Sequence, residues 1–163
     1  MELYDFTNLI QVLQEYANEV VDTYKNELHK DGHKATGKLI SSVHHIFTIN
    51  SNSIQVDLSL EDYWKYVEKG RKAGKMPPIN KILDWIKIKP VIPRPFNGKL
   101  PTQKQLAYLI SRKIGREGIE AGNELTNTLQ KTNNKWLQRI EDALDKDLGN
   151  LVEREVLISL YDK

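Results

Sequence analysis

The sequence predicts an α+β fold, in which a long N-terminal helix packs on a small antiparallel sheet and is followed by middle helices and a long C-terminal helical arm. Apolar residues recur with helical spacing at the start of the chain, and the pattern changes to alternation over residues 43–60 before helical spacing returns. At 163 residues, we expect one domain. Its parts are an α+β core over residues 1–122 and a C-terminal helical extension over residues 123–163.

The first helix is predicted from apolar residues that keep helical spacing for about seven turns. Gly32 is its expected stop, because glycine commonly follows the last turn of a helix. The apolar positions are Leu3, Phe6, Leu9, Ile10, Leu13, Tyr16, Ala17, Val20, Val21, Tyr24 and Leu28.

A β-hairpin is predicted next, over residues 43–60. Its first strand alternates His45, Phe47 and Ile49 with residues of the opposite face, and its second strand does the same with Ile54, Val56, Leu58 and Leu60. The residues between them, Asn50-Ser51-Asn52-Ser53, favour a turn. One face of the hairpin should be buried.

Two short helices are predicted in the middle of the chain. The first has a capping-box pattern at Ser59 and Asp62, runs through 63–67 and ends at Gly70. The second begins at Pro77 and Pro78, buries Ile79, Ile82, Leu83 and Ile86, and is ended by Pro90.

A loop and a third middle helix follow. The stretch 90–101 contains four prolines, so it should be extended and irregular. Thr102 and Gln105 form a second capping-box pattern, which opens a helix through Leu106, Ile110 and Ile114. Gly115 or Gly118 should close it.

From about Glu124 onward, apolar residues recur every three or four positions, which predicts one long helix or two helices broken near Gly149. An unbroken helix from 124 to 160 would be roughly 55 Å long, too long to stay within a small domain. Part of it should therefore project or pack on a partner. The residues expected to face that partner are Trp136, Ile140, Leu144 and Leu148.

Familiar catalytic and metal-binding patterns are missing from the sequence. Residues 32–39 match the spacing of a phosphate-binding loop, but Leu39 stands where a Mg²⁺-ligating hydroxyl is needed. His29 and His33 lack a third metal ligand, and the chain contains no cysteine. We therefore expect no enzyme activity, no cofactor and no metal. No apolar run is long enough to suggest a membrane partner.

Charge is strongly polarised along the chain. Residues 65–116 contain fourteen lysines and arginines and two acids, a net charge of +12, whereas 1–64 and 117–163 carry −6 and −4. Such a segment suits contact with nucleic acid or with an acidic surface of another subunit, and the charge pattern leaves both open. The residues expected to face DNA or a neighbouring subunit are Lys69, Arg71, Lys72, Lys75, Arg112, Lys113 and Arg116.

A series of short motifs occurs in order between residues 36 and 120: Thr36-Gly37-Lys38-Leu39, Tyr63-Trp64-Lys65-Tyr66-Val67-Glu68-Lys69-Gly70-Arg71-Lys72, Met76-Pro77-Pro78, Trp85-Ile86, Leu106-Ala107-Tyr108-Leu109-Ile110, Arg112-Lys113-Ile114 and Glu117-Gly118-Ile119. In this series the sequence resembles the head–tail joining, or tail-completion, proteins of tailed bacteriophages. The resemblance implies a non-catalytic virion protein, made in the bacterial host cytoplasm. It would form a six- or twelve-fold homo-oligomeric ring in the neck, contact portal or adaptor and tail proteins, and let DNA pass.

We therefore expect a structural ring protein of the phage neck. The alternative is a sequence-independent nucleic-acid-binding protein of a phage or mobile element. Subunit contacts in a ring repeat around its axis, so a basic patch of one subunit can meet an acidic patch of the next.

Overall fold

The computed structural model describes residues 6–30, 37–89, 91–95 and 98–161. Within these ranges, helices accompany a two-stranded antiparallel sheet, which confirms the predicted α+β class. The elements in chain order are α1 (Thr7–Lys30), α2 (Lys38–Ser42), β1 (His44–Ile49), β2 (Ile54–Ser59), α3 (Trp64–Lys69), α4 (Ile79–Ile88), α5 (Gln103–Glu117) and α6 (Glu124–Tyr161).

The described chain forms two compact units. Unit 1 contains the described residues of Met1–Glu27, Ser42–Leu60 and Glu124–Lys163. Unit 2 contains those of Leu28–Ser41 and Glu61–Asn123. The structure thus groups α6 with α1 and the hairpin, whereas the sequence suggested a core that stops at residue 122 and a separate extension.

The helix α1 is amphipathic, as its spacing predicts. Its buried side chains recur every three or four residues, which is the signature of one helix face packed into a core. The expected stop at Gly32 lies outside the described residues. The buried residues of α1 are Ala17, Val20, Val21, Tyr24 and Leu28, and Phe6, directly before the helix, is buried too.

The two long helices of unit 1, α1 and α6, run antiparallel. Asn8, near the start of α1, bonds Asp147 in the second half of α6, and Glu27, near the end of α1, pairs with Lys131 in the first half of α6. The continuous α6 has 38 residues, or about 57 Å at 1.5 Å per residue. Gly149 does not interrupt it.

Burial along α6 changes abruptly at Leu151. Up to that residue, a buried or half-buried side chain recurs every three or four positions. Ile140 is half-buried, and the buried residues are Glu124, Thr128, Thr132, Trp136, Ala143, Asp147 and Leu151. From Val152 to Tyr161 every residue is exposed. The prediction that part of this helix would be left for a partner or for solvent therefore fits its last ten residues.

The hairpin of unit 1 forms where the sequence predicts it. His45 pairs with Leu58 and Phe47 with Val56, and these four residues are half-buried, whereas His44, Ile46, Thr48, Gln55 and Asp57 are exposed. The turn is closed by the Asn50 N–H, which donates to the Ser53 carbonyl at 2.8 Å. The alternation of side chains in a strand thus places one apolar face toward the core of the unit.

Two local features before α4 differ from the prediction. The short helix α2 precedes β1, where the sequence indicated no helix. Ser59 does not cap α3, because it is the last residue of β2 and pairs with His44. Tyr63 occupies the cap position of α3 without a side-chain hydrogen bond, and the predicted end at Gly70 is confirmed.

The helices α4 and α5 of unit 2 match their predicted boundaries closely. Pro78 is the N-cap of α4. At the start of α5, Thr102 and Gln105 form the predicted capping box, in which each side chain accepts from the other residue's backbone N–H. Gly118, rather than Gly115, closes α5. The described residues of the proline-rich stretch between α4 and α5 form no helix.

Candidate functional site

The seven basic residues predicted as functional all lie in unit 2, in two segments. One segment, here called the basic loop (residues 69–75), consists of Lys69 at the end of α3 and the loop that follows it. The other segment is the last two turns of α5. All seven are exposed except Arg71, which is half-buried; they are Lys69, Arg71, Lys72, Lys75, Arg112, Lys113 and Arg116.

A backbone bridge fixes the start of the basic loop to the chain that follows α5. The Arg71 N–H donates to the Ile119 carbonyl at 2.8 Å, and the Ile119 N–H donates to the Arg71 carbonyl at 2.7 Å. Next to it, the N–H of Gly122 donates to the carbonyl of Val67 at 3.1 Å. These bonds hold together two segments that are far apart in sequence.

Two glycines make this bridge possible. Gly70 and Gly118 have φ values of +63° and +80°, with ψ near 180°, a backbone conformation that is essentially restricted to glycine. A Cβ on Gly70 would lie 2.3 Å from the Ile119 carbonyl oxygen, and one on Gly118 would lie 2.2 Å from the Arg71 carbonyl oxygen. Any side chain at either position would force the two segments apart.

Further contacts hold the basic loop along the C-terminal half of α5. The Gly74 N–H donates to the Gly115 carbonyl at 2.7 Å, and the Ser111 hydroxyl donates to the Pro77 carbonyl at 2.6 Å. Both Ser111 and Gly115 are buried, whereas the basic residues between and beside them are exposed. The loop's lysines and the basic residues of α5 therefore share one region of unit 2.

Most of the charge in this region is uncompensated. Lys113 and Arg116 pair with Glu117, and the hydrogen bond from Arg116 is the main cause that lowers the pKa of this carboxyl. Among the residues that the structure describes, Lys69, Lys72, Lys75 and Arg112 form no ion pair. This surface therefore carries a positive potential that attracts phosphate or carboxylate groups.

Exposed aromatic side chains accompany the basic loop on its N-terminal side. Tyr66 of α3 is 70% exposed and Tyr63 is 40% exposed, while Trp64 is half-buried. An exposed aromatic ring beside basic residues can stack on a nucleotide base. The two tyrosines are thus available to a partner rather than part of the core.

The predicted partner-facing residues of α6 divide into two groups. Trp136 is 3% exposed, so it cannot face a partner and the prediction for this residue was wrong. Its indole N–H donates to Glu19 of α1 at 3.0 Å, and the Arg139 guanidinium lies 4.0 Å from the ring centre. Ile140 is half-buried, whereas Leu144 and Leu148 are exposed and remain available to a partner.

Two apolar surfaces contain none of the predicted site residues. The first is the end of α6, residues 152–161, here called the α6 tail. The second is a groove of about 1010 Å³ in unit 2, here called the α5 groove, which is lined by the first half of α5 and by the proline-rich stretch before it. The apolar spacing does continue through Val156 and Leu160, and this was the signal that could have found the first surface.

Other predicted sites can be placed only in part. Most of the phosphate-loop-like segment, and His33, lie outside the described residues, while the Leu39 side chain is buried. In the described ranges, no cluster of three or more histidines and carboxylates could hold a metal ion. Within the same ranges, no helix combines the length and apolar character needed to cross a membrane.

Comparisons of the chain with protein-family models, with curated proteins and with solved structures found no match.

Proposed function

We propose that this chain is a structural virion protein, which forms a ring in the neck of a tailed phage, joins the capsid portal to the tail and lets DNA pass. The observation that carries the proposal is the fixed position of the basic loop. Backbone bonds and two glycines hold the loop rigidly against α5 while its lysines stay exposed and unpaired. Such a surface is pre-organised for binding a charged partner.

The residues that hold the basic loop in place are also residues on which the phage resemblance depends. Gly70-Arg71 belongs to one motif and Gly118-Ile119 to another, and the structure joins them through a backbone bridge. Pro77 of a third motif accepts the hydrogen bond from Ser111 of α5. Motifs that are separate in the sequence therefore serve one structural unit, which supports reading them together.

The distribution of charge favours assembly from copies of this chain. The segments before and after the basic stretch carry −6 and −4, so each copy combines a basic segment with acidic ones. When two different surfaces of one protein bind each other, the contact repeats from copy to copy and closes into a ring if the rotation allows it. Electrostatic complementarity of this kind fixes register and speeds association.

A second candidate function is sequence-independent nucleic-acid binding, and the exposed tyrosines favour it. Tyr66 and Tyr63 lie just before the basic loop, so bases could stack on their rings while the lysines neutralise phosphates. Binding of this kind weakens steeply as salt concentration rises.

A charge-reversal variant tests the proposed function. The triple change Lys72→Glu, Lys75→Glu and Arg112→Glu leaves Arg71 in place, because its guanidinium donates to the Lys75 carbonyl and helps to shape the loop. We expect the variant to fold with an unchanged melting temperature, to lose self-assembly in light scattering, and to fail to join heads to tails.

The matched control reverses an equal number of exposed lysines elsewhere, at Lys81, Lys87 and Lys146. This control should assemble like the parent chain. If the basic-loop variant also assembled like the parent chain, the proposed function would lose its support. A strictly monomeric parent chain that binds duplex DNA, with affinity falling steeply in salt, would favour the second candidate instead.

A further inference from the structure

The α6 tail is an apolar helix end without a covering partner in the described chain. Six of its ten side chains are apolar, and each is about half exposed or more: Val152, Val156, Leu157, Ile158, Leu160 and Tyr161. At 100° per residue these positions lie on several sides of the helix rather than on one stripe. A helix that is apolar on most sides requires a concave partner that surrounds it, because a flat surface would cover only one side.

The α5 groove is such a concave surface. Its floor and walls include Ile79, Leu100, Tyr108 and Leu109, and the last three of these are between 46% and 66% exposed. Its volume of about 1010 Å³ is at the upper end of the roughly 300–1,000 Å³ that small-molecule sites occupy, so it has room for several large side chains.

The two surfaces are also complementary in charge. Arg94, Lys99 and Lys104 line the groove, and none of its described lining residues is acidic. The second half of α6, residues 141–161, carries five exposed acids and two exposed bases, and two of the acids, Glu153 and Glu155, lie within the tail. An apolar centre with opposite charges at its edge is the usual composition of a protein–protein interface.

We propose that the α6 tail of one copy docks into the α5 groove of the next copy. This inference rests on the proposed function, because it names the two surfaces through which copies would repeat around a ring. The contact joins two different surfaces, so it leaves one free tail and one free groove until the ring closes. Leu157 and its apolar neighbours fill the groove, while Glu153 and Glu155 meet Lys99 and Lys104.

Site-directed crosslinking tests the contact without interference from native thiols, because the chain has no cysteine. One preparation carries Leu157→Cys in the tail, a second carries Tyr108→Cys in the groove, and the two are mixed with a short bis-maleimide. We expect a mixed dimer to form at least tenfold faster than either single-variant dimer. A control with Ser53→Cys, in the exposed hairpin turn, should crosslink to Tyr108→Cys only at the background rate.

Two outcomes of crosslinking would overturn the proposal. Fast crosslinking of Leu157→Cys to itself would mean that tails pair with tails. Background rates for every pair, in a preparation that light scattering shows to be assembled, would mean that other surfaces join the copies.

A charge exchange provides the second test. Lys99→Glu with Lys104→Glu makes the groove acidic, and Glu153→Lys with Glu155→Lys makes the tail basic. We expect each double variant alone to associate at least tenfold more weakly than the parent chain. A mixture of the two, and a chain that carries all four changes, should both recover association, since each then has tails and grooves of opposite charge. Absence of recovery in both would contradict the docking contact.

The failure of this inference can be told apart from the failure of the proposed function. If rings form and join heads to tails while the tail–groove crosslink stays at background, only the docking contact is wrong. If the crosslink forms but the assembled chain does not associate with portal or tail, the docking contact stands and the neck function is wrong.

Discussion

Asp147 of α6 caps the N-terminus of α1. Its carboxylate accepts hydrogen bonds from the backbone N–H of Leu9 at 2.8 Å and from that of Asn8 at 3.2 Å. The first four N–H groups of a helix have no partner within the helix, so α1, which begins at Thr7, needs acceptors from elsewhere. A negative charge also suits the positive end of the helix dipole. The carboxylate thus fastens one end of the antiparallel α1–α6 pair.

Replacing this cap should destabilise unit 1. We expect Asp147→Ala to lower the free energy of unfolding by about 1–3 kcal/mol, because the partly buried N–H groups of Asn8 and Leu9 lose their acceptor. Asp147→Asn, which keeps one oxygen acceptor, should cost less. Urea denaturation monitored by circular dichroism measures both. Equal losses for the two variants would show that the charge, rather than the hydrogen bonds, provides the stabilisation.

A second link between α1 and α6 should make the protein sensitive to acid. The hydrogen bond from Lys135 is the largest cause that lowers the pKa of Glu19, and the indole N–H of Trp136 adds to it. A lowered pKa in the folded state means that the ionised Glu19 stabilises the fold above its ordinary pKa. That contribution is lost as pH falls through the lowered value.

We therefore expect Glu19→Gln to make folding stability fall less steeply as the pH is lowered. The parent chain should lose stability between about pH 5 and pH 3 more steeply than this variant, because the variant has no carboxylate to protonate at that position. Glu141→Gln, on an exposed part of α6, is the control and should follow the parent curve more closely. Thermal unfolding at a series of pH values measures this difference. Parallel curves of melting temperature against pH for the parent chain and Glu19→Gln would contradict the role of this link.

Replacement by alanine should have opposite effects on stability at Gly118 and at Gly149. Gly118→Ala should destabilise unit 2 by at least about 2 kcal/mol, because its φ of +80° and the Arg71 carbonyl leave no room for a Cβ. Gly149→Ala should instead stabilise the protein by about 1 kcal/mol, since this glycine lies inside α6 with open space around it. Melting temperatures of both variants check this. An unchanged melting temperature for Gly118→Ala would mean that the backbone bridge between Arg71 and Ile119 does not constrain the basic loop.

The burial of α6 side chains predicts contrasting effects of truncation. Trp136→Ala should cost about 3–5 kcal/mol of folding free energy, because the indole is buried against α1. Leu148→Ala should change the stability of the isolated chain by less than about 1 kcal/mol, because this side chain is 40% exposed. Denaturant unfolding of dilute protein measures the loss of folding free energy in each variant. A loss for Leu148→Ala as large as that for Trp136→Ala would place Leu148 in the core instead.

Local sequence signals predicted the fold where one chemical mechanism decides the structure. The capping box at Thr102, the strands and turn of the β1–β2 hairpin, and the ends of α3 and α5 at glycines are of this kind. The capping pattern at Ser59 failed because pairing in the sheet holds this residue in β2. Helix α2 was missed because five residues are too few to show a helical period.

Tertiary packing decided what the sequence could not. The apolar spacing of α6 includes Trp136 and Leu148 equally, yet α1 covers the first and leaves the second exposed. A single glycine such as Gly149 costs only about 1 kcal/mol in a helix, so its leucine neighbours and packing against α1 outweigh it. The sequence shows that the stretch 65–116 is basic. Only the backbone bridge between Arg71 and Ile119 shows that two distant segments meet.

Electron microscopy of phage particles made without this chain tests the central claim most directly. If the chain forms the neck ring, its absence should leave DNA-filled heads and separate tails. The parent chain, supplied from a plasmid, should restore joined particles, and the basic-loop triple variant should not. Normal joined particles in the absence of the chain would contradict the account.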